Sequence, residues 1–208
     1  IKMFAELLHE KPDLSEINRT EYLSIIESES DRLEHYIKNV LDFSKIERGE
    51  MTYHPESLGL NTVINNILNL MQFQLAQHGF KMDTRLAPSE ITLFVDKNAL
   101  TAALINLFYN AIKYSGKEKY IQVTSSSDGI EAMVTVLDKG IGIAADDQEK
   151  IFDTFYRSKD NKVQSLGGAG LGLSLVAHFV KAHSGKIDLE SALGKGSMFR
   201  LTLPVVSS

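Results

Sequence analysis

Three groups of residues in the second half of the chain have the types and spacing to do chemistry. Asn106 and Asn110 are four apart, and Lys113 and Tyr114 follow one turn later. On a helix the two carboxamides and the ammonium share a face. An amide oxygen can ligate Mg²⁺, and Lys can pair with phosphate. The same residues would also suit a solvated polar stripe. Asp138 ends an apolar run and is followed by Gly140, Gly142 and Ile143. Glycines let the backbone come close to a ligand. A buried carboxylate at that point accepts a hydrogen bond from an exocyclic amine. That selects adenine over guanine, because the mismatched base leaves buried polar groups unpaired. Taken alone, the group also fits a tight turn. Third, Gly167, Gly168, Gly170, Leu171, Gly172 and Leu173 lead straight into a predicted helix. The first amides of a helix and the positive end of its dipole make a phosphate cradle. No Lys-Ser/Thr follows these glycines and no strand precedes them, so neither a Walker loop nor a dinucleotide fingerprint is present. A hinge is the alternative use of such a stretch.

These groups need elements to hold them, and the hydrophobic spacing supplies candidates. Ile1, Phe4, Ala5 and Leu8 mark one helical face, and Lys11-Pro12-Asp13 ends it. Asp13 or Ser15 can cap a long second helix over about 16–48, with Gly49 as its stop. Ile26, Leu33 and Val40 are seven apart, with Tyr22, Tyr36 and Ile37 near the same stripe. That spacing resembles a coiled coil and points to an intermolecular bundle, with packing inside its own domain as the alternative. After Gly49 the pattern predicts a strand over 52–57, a helix over 61–78, and strands over 80–86 and 91–95. A helix over 99–114 carries the Asn/Asn/Lys group. Strands over 120–126 and 132–137 follow, then a long irregular stretch from 138 to 168 of the kind that serves as a lid or binding loop. A helix over 172–183 and strands over 186–191 and 197–203 complete the chain. The strands and helices do not alternate strictly. The expected fold is α+β: a helical hairpin remnant over 1–50, then over 51–208 an α/β sandwich, a mixed sheet with helices on one face.

Composition narrows the chemistry further. The chain has 208 residues, 43% of them hydrophobic and 24% charged, ordinary values for a packed domain. The net charge of −5 disfavours nucleic-acid backbones and polybasic membrane contact. Without any Cys, disulfides, thiolate metal sites and Cys nucleophiles are excluded. No apolar run reaches the roughly 18 residues of a spanning helix, and no signal peptide is recognisable. The start at Ile1-Lys2-Met3 suggests part of a longer chain.

The order of the groups is more specific than any one of them. Asn106/Asn110/Lys113, then Asp138/Gly140/Gly142, then Phe152-Asp-Thr-Phe155-Tyr-Arg157, then Gly170-Leu171-Gly172-Leu173 resembles the N, G1, F and G2 boxes of sensor histidine kinases. Gly194-Lys-Gly196-Ser197-Met-Phe199 resembles their last glycine box, with Ser197 where Thr is common. Ile1–Leu8 and Ser28–Gly49 resemble the end of the dimerization and phosphoacceptor hairpin. The resemblance implies the Bergerat ATP-binding fold. It implies that Asp138 contacts the adenine amine, that Asn110 with Asn106 serves Mg²⁺, and that Lys113 reaches phosphate. Tyr114 and Ile143 would lie near the nucleotide, and Gly168, Gly170, Leu171, Gly172 and Leu173 would hold its phosphates. Phe152 and Phe155 would anchor the lid, and Arg157 would stabilise the γ-phosphate in the transfer state. Lys159 and Lys162 are read as solvated lid charges.

The implied activity is ATP-dependent phosphorylation of a His on the hairpin, for relay to an Asp of a response-regulator receiver domain. The acceptor His is expected upstream of Ile1; His9 lacks the residues that should follow an acceptor. A homodimer through the hairpin is implied for the parent, and weak or no dimerization for this shorter piece. A cytoplasmic location follows for this part of the chain, with membrane anchoring of the parent left open. Two other readings compete: a related ATPase, and a nucleotide-sensing module without kinase activity. The ATPase needs a carboxylate to activate water, and 99–112 contains none.

Overall fold

The structure is a computed structural model. It describes residues 1–11, 14–160, 163, 164 and 166–206, with the backbone alone at 73, 74 and 77. The expectations for Pro12, Asp13 and Lys162 fall outside the described residues. Two compact units emerge, Ile1–Gly49 and Glu50–Ser208.

The first unit is helical. α1 spans Lys2–Glu10 and α2 spans Glu16–Glu47. Ser15 caps α2, its Oγ accepting the Asn18 amide at 3.3 Å. After the helix Gly49 takes φ +65, a conformation that costs a glycine little. Phe4 on α1 meets Tyr22 on α2 with ring centroids 5.2 Å apart. The heptad stripe stays open: Leu33, Ile37 and Val40 are 52%, 52% and 48% exposed. A nine-residue α1 is too short to cover a helix of 32 residues.

In the second unit, β2 (Lys81–Arg85), β4 (Tyr120–Ser127), β5 (Glu131–Asp138), β7 (Gly196–Pro204) and β6 (Lys186–Ala192) form a five-stranded sheet in that order. β2 and β4 run parallel and every other neighbour pair is antiparallel, so the sheet is mixed. β1 (Glu56–Gly59) and β3 (Thr92–Val95) make a separate antiparallel pair. The sheet strands alternate. Ile121 and Val123 on β4, Val134 and Val136 on β5, and Leu201 and Leu203 on β7 all point to one side. On that side they pack into one core with α3 (Leu60–Gln77), α4 (Lys97–Lys113) and α6 (Gly172–Ala182). This is the expected sandwich of a mixed sheet and helices.

Phe108 on α4 sits at the centre of that core, fully buried. Phe108→Ala is expected to destabilise this unit by about 3–5 kcal/mol, the usual cost of a large core cavity. Urea unfolding followed by circular dichroism measures it.

Two local expectations are corrected. The strand predicted over 52–57 forms instead over Glu56–Gly59. Pro55 has no N–H to give a ladder, and Tyr53 and His54 bond sideways to other elements. The stretch over 138–168 is also less irregular than its pattern suggests. It contains a single helical turn, α5 (Ala145–Gln148), and a 3₁₀ turn, Lys150–Phe152.

Candidate nucleotide site

α4 positions the first group. Asp96 caps the helix, its Oδ1 accepting the Ala99 amide at 2.9 Å. Burial works against a charge on Asp96, but the amides of His54, Ala99 and Asn98 hold its carboxyl below the ordinary carboxylate range. The apolar face from Leu100 to Ala111 then fixes the rotation of the helix against the core. Asn106 is only 4% exposed. Its Nδ2 donates to Ala102 O at 3.0 Å, and its Oδ1 faces the start of α6, where a Cβ on Gly172 would come within 2.6 Å. Asn110, one turn on, is half-buried. Lys113 Nζ lies 4.7 Å from the centre of the Tyr114 ring and donates to Gly167 O at 2.6 Å. A side chain at Gly168 would bring a Cβ to 2.5 Å from that ammonium. α4 and the glycine loop thus converge on the same spot.

Asp138 closes β5 with its side chain on the covered side of the sheet, 6% exposed. Burial pushes its carboxyl up to about 6, against the pull of the Gly140 and Ser197 amides. The Gly140 amide donates to its Oδ1 at 2.7 Å. A Cβ on Gly140 would strike Tyr114 O, and one on Gly142, where φ is +67, would strike Ala192 O. Both glycines are therefore required by close backbone approach. The Ile143 amide donates to Ser191 Oγ at 2.9 Å, and Ser191 in turn donates to Gly196 O at 2.8 Å. Ser197 Oγ lies 3.0 Å from Ser191 Oγ. Its hydroxyl is thereby linked to the knot that holds the Asp138 loop to the ends of β6 and β7. Gln148 joins this knot through Ile143 O and Ser191 O. Neither Ser191 nor Gln148 stands out by spacing; only the fold brings them here.

The lid carries the remaining candidates. The Phe155 amide donates to Gly170 O at 3.0 Å, with Phe155 itself at φ +62 and its side chain 60% exposed. Phe152 lies in the 3₁₀ turn and packs at the core margin. Arg157 Nη2 donates to Val163 O and Gln164 O, both at 3.0 Å. Its Nε is buried and has no hydrogen-bond partner among the described residues. Arg157 is thus turned toward the lid backbone, and Lys159 is exposed. Leu171 is buried, Leu173 packs on the core, and Gly172 is the first residue of α6.

Gly170 joins two parts of this lid. Its φ is +71, and a Cβ there would come within 2.7 Å of Phe155 C and Tyr156 O. Gly170→Ala is expected to push the two segments apart and to destabilise the unit by ~1–3 kcal/mol of backbone strain. Urea unfolding reads the change.

A buried carboxylate beside close-packed glycines, a polar helix face and a glycine loop entering a helix thus meet around the end of α4. Residues 95–207 match the family described as histidine kinase-, DNA gyrase B-, and HSP90-like ATPase. Residues 1–49 match the His Kinase A phospho-acceptor domain. The chain belongs to the sensor histidine kinase family. It is 30% identical over 205 residues to the sensor-like histidine kinase SenX3 of Mycobacterium tuberculosis, covering 98% of this chain and 49% of SenX3. It is 32% identical over 186 residues to the sensor histidine kinase RppB of Synechocystis sp., covering 89% of this chain and 41% of RppB. It therefore spans half or less of the length of these relatives. Among solved structures, the catalytic domain of histidine kinase ThkA superposes with a TM-score of 0.63 at 26% identity, covering 74% of this chain and 96% of that one.

Proposed function

We propose that the second unit is the ATP-binding catalytic part of a histidine kinase. It would transfer the γ-phosphate of ATP to a His on the dimerization helices, for relay to an Asp of a response-regulator receiver domain. The observation that carries this reading is Asp138. A carboxylate 6% exposed, its pKa raised to about 6 and with no cation beside it among the described residues, is costly unless a ligand supplies a donor. The adenine amine is such a donor. Gly140 and Gly142 keep the neighbouring backbone close, and Ile143 and Tyr114 border the base. Lys113 and the first-turn amides of α6, at Gly172 and Leu173, face the phosphates.

The donor set also fits Mg²⁺. No group of three or more His, Asp or Glu among the described residues could hold a metal by itself. Mg²⁺ commonly keeps several waters and binds through one or two protein oxygens plus substrate phosphates. Asn110 is the leading protein ligand; Asn106, with Nδ2 committed to Ala102, is the second. Bound there, the ion would neutralise phosphate charge. The chain's own residues orient the nucleotide, and positioning is most of what phosphoryl transfer asks of a protein.

The hairpin unit supports a homodimer in the parent, since its apolar stripe is half-exposed. No helix of the chain is long and apolar enough to cross a membrane, among the described residues. A cytoplasmic position is the reading we adopt for both units. An ATPase of the gyrase or HSP90 kind is disfavoured, because 97–113 presents Asn106 where a water-activating carboxylate would be needed.

Discrimination between ATP and GTP tests the site. Calorimetric titration is expected to show binding of ATP and at least a hundredfold weaker binding of GTP. Equal affinities would remove Asp138 from the base-recognition role.

A further inference from the structure

The segment that carries Arg157 is fastened to α5 by the residues on either side of it. Tyr156 Oη donates to Asp147 Oδ1 at 2.6 Å. The Ser158 hydroxyl hydrogen-bonds the same carboxylate, and the two hydroxyls hold Asp147 below the ordinary carboxylate range. Arg157, between them, bonds the lid instead: its Nη2 donates to Val163 O and Gln164 O, and its Nε is buried. Other bonds hold different parts. The Phe155 amide on Gly170 O, at 3.0 Å, and the Tyr156 amide on Asp153 O, at 3.2 Å, fix the backbone as far as Tyr156. Gln164 Nε2 on Ser158 O, at 2.6 Å, and the Arg157 bonds join the lid to itself, so they travel with it. The neighbour of Asp147 on α5 points to another partner. Gln148 Nε2 donates to Ile143 O at 3.1 Å and Ser191 O at 3.0 Å, in the knot that holds the Asp138 loop. Adjacent residues of one helical turn thus grip the proposed base pocket and the Arg157 segment.

We propose that Asp147 is a positioning residue for Arg157: by pinning Tyr156 and Ser158 to α5, it sets the place of the guanidinium relative to the Asp138 pocket. The chain of bonds is short. It runs from the Asp138 loop through Ser191 and Gln148 to α5, and from Asp147 through two hydroxyls to the backbone on both sides of Arg157. Phosphoryl transfer depends on such placement, because about 1 Å of misplacement can cost roughly a hundredfold in rate. Asp147 acts through Arg157 and not on the nucleotide. What it needs for this is an acceptor at a fixed point rather than a charge. The consequence for transfer rests on the kinase reading; the placing of Arg157 does not.

Three variants test this: Asp147→Ala, Asp147→Asn, and Tyr156→Phe combined with Ser158→Ala. Asn keeps an oxygen for the Tyr156 hydroxyl, and its NH₂ can donate to Ser158 Oγ. Hydrogen exchange of the Arg157 Nε–H is followed by NMR on this chain without nucleotide. The dissociation constant for ADP is measured on the same proteins, and the transfer rate from γ-labelled ATP on chains extended upstream. Exchange of Nε–H is expected to be about tenfold faster in Asp147→Ala and in the paired hydroxyl variant, as the segment opens more often. Combining the two should add nothing, since they remove the same bonds. Transfer should slow about tenfold in both, with ADP affinity within about twofold of wild type. In Asp147→Asn, exchange and transfer should return to within about threefold of wild type. Unchanged Nε–H exchange overturns the proposal. So does unchanged transfer, or an Asn variant as slow as the Ala one. An ADP affinity that falls in step with transfer also overturns it, since Asp147 would then only support the fold. A wild-type extended chain that takes up no label would refute the kinase reading, while Nε–H exchange would still decide whether Asp147 holds Arg157 in place.

Discussion

Asp138→Asn is expected to raise the melting temperature of the catalytic unit at pH 7.5 while lowering its affinity for ATP at least a hundredfold. Both effects follow from one buried carboxylate. In the fold its pKa is raised from an ordinary 3.8 to about 6 by burial. Because the folded pKa is the higher one, the folded state holds the proton more tightly than the unfolded chain. Stability from this group is full below about pH 4, falls as pH rises toward 6, and stays low above it. At roughly 1.4 kcal/mol per tenfold, the penalty at neutral pH is about 3 kcal/mol. Asn removes the charge and keeps an oxygen for the Gly140 amide, so much of that penalty is relieved. Its NH₂, however, would meet the adenine NH₂, donor against donor. A stability gain coupled to a binding loss marks a residue kept for function. Thermal melts across pH 4–8 check the first half: the wild-type and Asn curves should converge below pH 4. Titration with ATP checks the second. A variant that melts lower at pH 7.5 and still binds would show that Asp138 serves the fold alone.

Asn110→Ala should separate binding from transfer. The side chain is half-buried on the polar face of α4, outside the packed row from Leu100 to Ala111. Its loss leaves the core intact, so a melting change within a few degrees is expected. If Asn110 holds Mg²⁺ against the phosphates, phosphoryl transfer should fall at least a hundredfold, because neutralising the phosphate charge does much to lower the barrier in this chemistry. Binding of ADP measured in EDTA should change less than threefold, since the proposed base recognition by Asp138 does not involve Asn110. Transfer that survives at near wild-type rate would move the metal role away from Asn110. Asn106→Ala is a poor substitute for this test: its Nδ2 bond to Ala102 and its approach to Gly172 make it part of the α4–α6 contact.

Much of the fold, and the placing of the candidate site residues on its elements, was legible in the sequence because the local signals agreed with the global fold. Alternation on β4 and β5 was strict enough to put Asp138 at a strand end. The spacing of Asn106, Asn110 and Lys113 sufficed to place them on one face of α4. Glycines of the two loops could be read because they sit where a side chain cannot fit, as Gly140 against Tyr114 and Gly170 against Phe155 show. What escaped was long-range. The N-terminus of α3 is held by Glu90, whose Oε1 accepts the Asn61 amide at 2.7 Å from 29 positions away. Ser191 and Gln148 matter only because β6 returns beside the Asp138 loop. The strand expected over 52–57 failed for the same kind of reason. The stretch resembled a short strand, but Tyr53 and His54 found partners on α6 and at Asp96 and left the ladder to 56–59. Arg157 shows another limit. Its type suits a phosphate, yet in this fold its guanidinium is engaged by the lid carbonyls of Val163 and Gln164.

Kinase activity is tested most directly by following γ-labelled ATP with Mg²⁺ on this chain and on one extended upstream, counting both free phosphate and protein-bound label. This chain is expected to bind nucleotide but to show neither label nor turnover, and the longer chain to gain acid-labile label of the phosphohistidine kind. Steady release of phosphate by this chain would contradict the kinase reading. The unit would then be an ATPase, and the lack of a carboxylate at Asn106 would not have prevented hydrolysis.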